Sequence, residues 1–497
     1  MLEIIDFISN INFINKLFLI PMLGIVLLQI SKETPLIQYI TAILIPLLFI
    51  FQITNESPNH NIELSWFSFF NIFEIKFIFT KISQLFILMV GTLWLLNNIY
   101  SIGYLKIKRI HFSNFMSLIF ASICCVVLIG SSGNLITLFI FYEALTLITY
   151  FLVSFDKCYE SQIAGGIYIK TLLVSSSSLF LIGIVAIYSF TGSFRFMDNG
   201  ILNIFPDMQI NWQITLTLLF LFLYGCAKAA TIPLHFWLPK AMIAHTPVSA
   251  LLHAVAVVKS GIIALLYIII YIFGIKFLED LSKSHEIAFS IPKYIAGFSA
   301  IYASIMALKK VEVKKVLAYS TIGQLGYMVM IIFSFHDGMP KVLILQLIAH
   351  AVTKINMFFI AGFLYLKYKI KRIDEINGIG KTEPIIGACF FISMLSIIGI
   401  PPTVGMIGKY NIILYCIHNK EYFMLGVIAS GTIMSCYYLL PIITDMFFDK
   451  QIIEINIIEK EKQNHFKKYY LFLYISIVIT SALVILLFFA PYSLINI

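Results

Sequence analysis

One apolar stretch, interrupted by prolines, decides the fold of this chain. Residues 213–239 read QITLTLLFLFLYGCAKAATIPLHFWLP, with Lys228 inside the apolar run and with Pro233 and Pro239 at its end. A lysine in the middle of a lipid-embedded helix is costly, and proline removes a backbone hydrogen-bond donor from a helix. The stretch therefore predicts a transmembrane helix that is broken near a buried charge.

The composition of the whole chain also indicates a membrane protein. Its 497 residues are 60% hydrophobic and 12% charged, whereas a soluble domain has about 25% charged residues. At about 20 apolar residues per crossing, we predict an all-α integral membrane protein with fourteen transmembrane helices, which leaves no room for a large soluble catalytic domain. The apolar runs lie near residues 12–30, 35–54, 83–104, 113–131, 133–154, 165–190, 213–236, 247–273, 290–308, 316–335, 341–366, 385–416, 422–444 and 469–490.

Two of these helices are interrupted in the same manner. Prolines 233 and 239 break the seventh helix, and Pro401 and Pro402 break the twelfth, five helices later. Broken helices at matching positions of two five-helix units are typical of an inverted repeat, with the transport path at the breaks. The alternative is that these prolines are ordinary ones, since membrane helices often contain proline. The predicted parts of this single membrane domain are helices 1–3 (residues 1–112), repeat one (113–273), repeat two (290–444) and a last helix (469–490).

Lysine and arginine are unevenly distributed over the predicted loops. By the positive-inside rule, the loops rich in them are cytoplasmic. An even number of helices then places both termini on the periplasmic side of a bacterial inner membrane, with a mitochondrial inner membrane as the less favoured alternative. The net charge of +9 is explained by this topology, so we expect a lipid bilayer and no nucleic acid as partner. The basic positions are Lys32 and the loops at 104–112, 155–164, 238–246, 309–315, 367–384 and 445–468.

Several ionisable side chains fall in the middle of predicted helices. Each charge near the bilayer centre costs roughly 3 kcal/mol, so these groups must pair, be hydrated or be neutral for part of the time. A row of such groups at mid-depth is typical of a proton relay. The predicted relay consists of Glu143, Lys228, His253, Lys259, His350, Lys354 and Lys409.

The spacing of these residues suggests pairs. Glu143 is the one acid in its helix, and we predict that it pairs with Lys228 on the broken seventh helix. His350 and Lys354 are four residues apart and share a helix face. His253 and Lys259, six apart, lie on roughly the same side of the eighth helix. The alternative for both histidines is a simple hydrogen bond between helices.

Other polar residues are predicted to have structural roles. Lys170, near a helix start, is expected to extend to the membrane interface. Residues 175–178, four serines, are expected to form a close-packing face. The cluster of Lys309, Lys310, Lys314 and Lys315 is expected to be cytoplasmic charge without chemistry, and His235 is equally compatible with a structural or a relay role.

The sequence contains no motif that indicates another kind of chemistry. The chain has no G-x-x-x-x-G-K-[ST] loop, no G-x-G-x-x-G and no C-x-x-C pair, which argues against nucleotide hydrolysis, dinucleotide binding and cysteine metal sites. We expect no cofactor, no metal site and no catalytic site in the chain itself.

The broken helix carries a resemblance to a known family. Residues 227–261, reading AKAATIPLHFWLPKAMIAHTPVSALLHAVAVVKSG, resemble the signature of the antiporter-like subunits shared by Mrp-type Na⁺/H⁺ antiporters and respiratory complex I. Further matches are LAYSTIGQLG at 317–326, HAVTK at 350–354 and GIPPTVGMIGK at 399–409. The resemblance implies the fourteen-helix fold with two inverted repeats. It also implies proton-relay roles for Glu143, Lys228, Lys259, His350, Lys354 and Lys409.

Two functions remain open from this resemblance. The first is a proton-translocating subunit of a multisubunit Na⁺/H⁺ antiporter, most similar to the Mrp D subunit, with other membrane subunits, protons and Na⁺ as partners. The alternative is a proton-pumping subunit of respiratory complex I, where the chain would be part of an NADH:quinone oxidoreductase. His245, where the family usually has Pro, and Thr80-Lys81, where an Asp is frequent, depart from the pattern.

Overall fold

The chain forms a bundle of membrane-crossing helices. The computed structural model describes residues 2–55, 62–69, 73–204, 211–448 and 467–489. Eleven of the described helices are long and apolar enough to cross a membrane, and three shorter apolar helices, Asn15–Ile30, Trp212–Gly225 and Pro384–Ile398, stand at the remaining predicted crossings. The prediction of about fourteen crossings is confirmed.

The first half of the chain runs from α1 to a much-interrupted eighth crossing. In it, short π-helical segments lie at Ser176–Phe180, Leu251–Val255 and Ile268–Phe273, and 3₁₀ turns lie at Ala227–Ala229 and Ala241–Ile243. The α-helices are α1 (Leu2–Ile30), α2 (Pro35–Asn55), α3 (Lys81–Lys108), α4 (Phe112–Gly130), α5 (Leu135–Val153), α6 (Tyr159–Ser175), α7 (Leu181–Thr191), α8 (Ile201–Ile204), α9 (Trp212–Gly225), α10 (Trp237–Lys240), α11 (Thr246–Ala250) and α12 (Val257–Tyr267).

The second half contains longer uninterrupted helices. One 3₁₀ turn lies at Ile373–Glu375. The helices are α13 (Ile275–Ser284), α14 (Glu286–Leu308), α15 (Val313–Ile332), α16 (Met339–Tyr368), α17 (Ile379–Thr382), α18 (Pro384–Ile398), α19 (Val404–His418), α20 (Tyr422–Phe448) and α21 (Lys467–Phe489). The helix α13, which lies between two crossings, is not among the predicted segments.

A β-hairpin corrects the all-helical expectation. Strand β1 (Ile62–Phe69) pairs antiparallel with β2 (Phe73–Phe79), between the second and third crossings, with Leu64 opposite Phe77. The alternation of apolar and polar residues in FEIKFIF at 73–79 is a strand signal that a search for long apolar runs does not detect. Phe77 is buried, and its ring centroid lies 4.9 Å from that of Phe18 on α1. The hairpin thereby covers one end of the bundle.

The two predicted helix breaks are present, with different bounds. The seventh crossing leaves α-helical geometry already at Cys226, seven residues before Pro233, and continues as turns to Phe236. The twelfth is divided into α18 and α19 by residues 399–403, where Gly399 has φ +93°. The predicted segment 213–236 thus consists of a helix followed by turns, and the predicted segment 385–416 consists of two half-helices.

The loops sort onto two ends of the bundle. At one end, which we call the basic face, Val313 N donates to Lys371 O at 3.0 Å and His245 pairs with Asp156, so four of the predicted lysine-rich loops meet there. At the other end, the hairpin face, Ile78 N donates to Ser131 O at 2.7 Å. Much of the predicted basic loop 445–468 lies outside the described residues.

The centre of the bundle is formed by the eighth and eleventh crossings. In the most apolar stretch of residues 246–273, 89% of the residues are buried inside the protein. In the most apolar stretch of α16, the share is 94%. The helix α16 packs against α3, α11, α15, α18, α19 and α21. Side chains on these two crossings therefore face protein on all sides, and any polar residue among them must find its partners within the bundle.

Candidate functional site

Lys228 lies at the break of the seventh crossing and is fully buried. Its Nζ donates to the carbonyl oxygen of Tyr142 and lies 3.2 Å from the centroid of the Tyr142 ring. The backbone N–H of Lys228 donates to Tyr142 Oη at 3.1 Å. The break releases the 3₁₀ turn Ala227–Ala229 from the helix, and Gly261 lets α12 approach it, because a Cβ there would lie 2.7 Å from Lys228 C. The turn is therefore held from two sides.

The predicted pair between Glu143 and Lys228 is not a direct ion pair. No ionic contact within 4.0 Å joins them among the described residues, and neither carboxylate oxygen of Glu143 has a hydrogen-bond partner there. The two side chains are neighbours through Tyr142, whose carbonyl binds Lys228 and which precedes Glu143 in the chain. The ammonium therefore meets the backbone of α5, and the half-buried Glu143 carboxylate lies close enough to act on its charge without contacting it directly.

Lys259 and His350 form the most direct contact between predicted relay residues. Lys259 Nζ lies 2.6 Å from His350 Nδ1, a hydrogen bond that joins the eighth and eleventh crossings. Lys259 Nζ also donates to the carbonyl of His253 at 3.3 Å, in the π-helical segment Leu251–Val255. The predicted association of His253 with Lys259 is therefore present, but it runs through the backbone. Both ring nitrogens of His253 are buried and without a protein partner.

Lys354 and His350 share a face of α16 but contact different helices. Lys354 is fully buried, and its Nζ donates to the carbonyl of Leu317 on α15 at 3.2 Å. His350 contacts Lys259 on α12, and its Nε2 has no partner among the described residues. The face of α16 thus connects the eighth crossing to the tenth.

Lys409 lies at the break of the twelfth crossing. Its Nζ donates to the carbonyl of Ile398, the last residue of α18, and to Thr432 Oγ1, each at 2.9 Å. Gly399 makes this possible, because a Cβ there would lie 2.8 Å from Lys409 Cδ. The lysine therefore uses a carbonyl that the end of α18 leaves without an intrahelical partner.

Two glutamines bridge the distance between His350 and Lys409, and they are missing from the predicted site. Gln346 lies one helical turn from His350, and its Nε2 donates to Gln324 Oε1 on α15 at 2.8 Å. Its own Oε1 lies against Gly408, beside Lys409, and is buried without a partner. Gln324 lies in the LAYSTIGQLG stretch, but an uncharged amide gives no signal in a search for membrane charges.

The four central lysines share one kind of partner. Lys228, Lys259, Lys354 and Lys409 each donate to a backbone carbonyl, and none has a carboxylate within 4.0 Å among the described residues. Carbonyl dipoles stabilise an ammonium less than a carboxylate does, so a lysine of this kind can lose its proton when the local field changes. Chemically, this arrangement can accept, hold and release protons.

The residues predicted to be structural divide into several groups. Lys170 is exposed but lies well inside α6, which begins at Tyr159, so its extension to the membrane interface stays a prediction. Ser175 and Ser176 are buried while the next two serines are exposed. The ring of His235 contacts Tyr302 at a centroid distance of 5.3 Å. Lys314 corrects the prediction of plain surface charge, because its Nζ donates inward to Ala244 O at 2.9 Å.

A cavity lined by charged and apolar side chains opens at the basic face. It has a volume of about 760 Å³ and extends between α3, α6, α10, α15 and α16. Its wall includes Asp156, His245 and Lys314, together with Lys108 and Lys371. We call this cavity the vestibule. Its floor is the start of α11, which leads into the eighth crossing with His253 and Lys259.

The sequence of the central helices matches one family description. Residues 132–435 match the model for the membrane part of NADH:quinone oxidoreductase and Mrp antiporter subunits. This chain belongs to that family. The match covers more than half of the chain and includes every predicted relay residue, so the resemblance seen in the motifs is confirmed.

Curated relatives of this chain are quinone oxidoreductase subunits. Chloroplast NAD(P)H-quinone oxidoreductase subunit 5 of Physcomitrium patens is 31% identical over 79% of this chain and 56% of its own length. NADH-quinone oxidoreductase subunit N of Desulforudis audaxviator is 26% identical over 64% of this chain and 61% of its own length. The chain thus spans between half and two thirds of the length of such relatives.

Solved structures show the same fold. A chain of respiratory complex I from Thermus thermophilus superposes with a TM-score of 0.72 at 20% identity, covering 96% of this chain and 98% of its own length. A chain of an archaeal membrane-bound sulfane sulfur reductase superposes with a TM-score of 0.75 at 21% identity, covering 95% and 99%. Both are parts of respiratory membrane complexes, and at this identity the likeness establishes the fold.

Proposed function

We propose that this chain is a proton-translocating subunit of a redox-driven respiratory membrane complex of the complex I type. Other membrane subunits of that complex are its partners, and the redox reaction takes place outside this chain. Protons move along the breaks of the seventh and twelfth crossings and through the face of α16 that lies between them. The basic face is the cytoplasmic or equivalent side, in keeping with the positive-inside rule.

The observation that carries this proposal is the contact between Lys259 and His350. Two basic nitrogens lie 2.6 Å apart, with both residues at most 3% exposed. Two positive charges at that distance repel each other strongly where water is scarce, so the pair holds one proton between its two nitrogens. A proton added on one side of such a pair is released on the other.

Water completes the path in this proposal. Buried polar atoms without a protein partner are usually satisfied by ordered water. Such atoms occur at Glu143, at both nitrogens of His253, at Nε2 of His350 and at Oε1 of Gln346. Other such atoms occur elsewhere among the described residues, but these belong to relay residues or lie beside one of them, so water at these atoms would join the lysines into one path.

The energy source separates the two functions considered from the sequence. The relatives named above are quinone oxidoreductase subunits, and the solved neighbours are respiratory complexes. They support the complex I alternative over Na⁺/H⁺ exchange.

The test uses the intact complex purified from its native membrane and reconstituted into vesicles. A pH-sensitive dye records proton movement after addition of NADH and a quinone, and separately after a Na⁺ pulse without a redox substrate. We expect movement in the first experiment only. Proton movement driven by Na⁺ alone would instead support the antiporter, and no movement in either experiment would overturn the proposal.

A lysine variant ties the activity to this chain. Lys259→Met should lower redox-driven proton movement by on the order of 100-fold, while the subunit content of the complex stays unchanged. Lys170→Ala is the matched control, because Lys170 is an exposed lysine on α6 that is not one of the relay residues. Loss of the subunit from the complex in Lys259→Met would indicate a structural role for this lysine.

A further inference from the structure

The vestibule at the basic face has one acid–base pair at its floor. His245 Nε2 lies 2.7 Å from Asp156 Oδ1, and the side chain of Asp156 is 49% exposed whereas that of His245 is 10% exposed. The imidazole ring is enclosed by aromatic rings, with centroids 5.9 Å from Tyr104 and from Phe115. Asp156 therefore faces the water of the vestibule, and His245 lies between that water and the protein interior.

The side chain of Lys314 extends from the vestibule wall toward the protein interior, next to this pair. Its Nζ donates to the carbonyl of Ala244, which precedes His245, at 2.9 Å, and to Ser249 Oγ at 3.4 Å. Ser249 is fully buried in the first turn of α11, and its N–H donates to the carbonyl of His245 at 2.9 Å. The lysine ammonium thus lies at the junction between the vestibule and the eighth crossing.

The predicted relay begins one helical turn beyond Ser249. His253 follows Ser249 by four residues on the same crossing, and its carbonyl binds Lys259. Lys314, Lys259 and Lys354 all lie close enough to His253 to act on its charge. Polar groups that can carry a proton therefore follow one another from the vestibule to the centre of the bundle.

We propose that His245, Asp156 and Lys314 form the proton-uptake site of this chain. The inference rests on the proposed function and names the place where protons enter. A hydronium ion in the water of the vestibule gives a proton to the imidazole of His245 and becomes water, and the Asp156 carboxylate stabilises the positive form of the ring. The imidazole passes that proton to the uncharged Lys314 amine, and the resulting ammonium passes one through Ser249 and water to His253. Each donor returns to its starting state, so one proton moves inward per cycle.

The electrostatic surroundings of His245 suit this role. Burial lowers the pKa of the imidazole below its ordinary value of 6.5, and the neighbouring Asp156 opposes that shift. The other groups acting on the ring are Lys314 and Lys108, whose positive forms lower the pKa of the imidazole further. The ring therefore releases a proton readily, and Lys314 can take up that proton while its amine is uncharged.

The test compares histidine variants of the intact complex in vesicles. His245→Ala removes the carrier, and His245→Asn keeps a donor for Asp156 but cannot carry a proton. Both should slow redox-driven proton movement roughly 10- to 100-fold. His111→Ala is the matched control, because His111 is an exposed histidine on the same face whose side chain makes no helix-cap hydrogen bond, and it should leave the rate unchanged.

Chemical rescue separates proton carriage from a structural role. Imidazole-4-acetate, whose charge keeps it on one side of the membrane, should restore at least half of the rate of both His245 variants when it is present at the basic face. It should have no effect from the hairpin face. Lys314→Met should be slow and should not respond to the rescue, because the step after His245 is missing.

The outcomes distinguish this inference from the proposed function. A wild-type complex that moves no protons overturns the proposed function. A wild-type complex that moves protons, with His245 variants that are equally fast, overturns only the uptake site. Slow variants that imidazole-4-acetate does not restore, or restores equally from both faces, also overturn the uptake site.

Discussion

The ammonium of Lys409 donates to the carbonyl oxygen of Ile398, at 2.9 Å, across the interruption between α18 and α19. The carbonyl is available because α18 ends there, and the side chain reaches it because Gly399 has no Cβ in its way. The break in the helix and the buried charge are thus one feature: the interruption supplies the oxygen that makes the charge tolerable in the membrane.

Replacing Gly399 by alanine should displace Lys409. The residue has φ +93°, which costs an L-residue about 1–2 kcal/mol, and the new Cβ would meet Lys409 Cδ at 2.8 Å. We expect the rate of proton movement in vesicles to fall about tenfold or more, since a shift of about 1 Å in a reacting group can cost 100-fold.

A second glycine provides the control for Gly399→Ala. Gly338 has φ +81°, but a Cβ there would meet nothing within 4 Å. Gly338→Ala has only the backbone cost of the positive φ. It should therefore lower the thermal unfolding midpoint about as much as Gly399→Ala does, while proton transport continues. Equal transport in the two variants would show that Lys409 does not depend on the position of Gly399.

Much of this architecture can be predicted from the sequence because lipid imposes strict rules. A crossing needs a long apolar run, and a charge inside such a run is rare. These two rules predict the fourteen crossings and the burial of Lys228, Lys259, Lys354 and Lys409. The prolines predict both breaks. The assignment of the repeats and of the relay roles stays a prediction.

What the sequence does not reveal are the partners of the buried charges. Glu143 is the obvious partner for Lys228, but the structure places the ammonium on the carbonyl of Tyr142. Every residue has a carbonyl, so sequence cannot show which one a lysine will bind. The answer depends on where helices end and where π-helical segments occur, as at His253, and these features are set by packing between helices.

The residues that the sequence analysis does not identify are those without a distinctive signal in the sequence. Gln346 and Gln324 carry no charge, and Lys314 stands at the start of a helix within a basic cluster. Their importance depends on the direction of the side chain, which for Lys314 is inward. The hairpin at 62–79 was missed for another reason, because its strands are shorter than any crossing.

The two glutamines allow a test that separates stability from transport. Gln346→Leu removes the donor to Gln324 Oε1 and leaves a buried acceptor unsatisfied, at a cost of about 1–3 kcal/mol. Removing both partners in the double leucine variant should be closer to neutral for stability. Thermal unfolding of the purified complex measures this part.

Proton movement by the glutamine variants should not follow stability. If water held by Gln346 joins His350 to Lys409, then the double variant should regain its unfolding midpoint and remain about tenfold slow. Thr353→Val is a suitable comparison, because Thr353 also lies on α16 and makes a buried hydrogen bond to another helix, through Ser396 on α18. A double variant that recovers transport together with stability would give the glutamines a packing role only.

Glu383 should make the stability of the complex depend on pH. It accepts hydrogen bonds from Lys367, Tyr368 and Tyr474, and thereby ties α16 and α21 to the start of α18. Burial raises the pKa of this carboxyl, but these hydrogen bonds outweigh that effect and hold the pKa below its ordinary value of 4.5. The stabilisation is therefore present above pH 4.5 and is lost as the pH falls through the lowered value.

The expected result for Glu383→Gln follows from the lowered pKa of the Glu383 carboxyl. At pH 7 the variant should unfold with a free energy about 1.5–3 kcal/mol smaller than the wild type, the contribution of hydrogen bonds to a charged group. The difference should shrink as the pH falls below 4.5. Glu312→Gln removes an exposed carboxylate paired with Lys315 and should change little, within about 0.5 kcal/mol, at any pH.

Glu421 should hold the hairpin face together through a buried ion pair. Lys293 Nζ on α14 donates to both carboxylate oxygens, at 2.9 and 2.8 Å, and His336 Nε2 lies 3.2 Å from one of them. Lys293→Met leaves the carboxylate with the histidine alone in a site where it is only 9% exposed. Removing one partner of a buried ion pair costs about 3–5 kcal/mol of stability, so the thermal unfolding midpoint should fall.

A double variant and a surface control complete this last test. Lys293→Met combined with Glu421→Gln removes both charges and should recover most of the lost stability, because the penalty comes from the charge that stays behind. Lys283→Met removes an exposed lysine paired with Glu279 and should cost less than about 1 kcal/mol. If Lys293→Met unfolds no earlier than Lys283→Met, then Glu421 is neutralised by His336 or by water, and the ion pair does not hold α14 to the loop before α20.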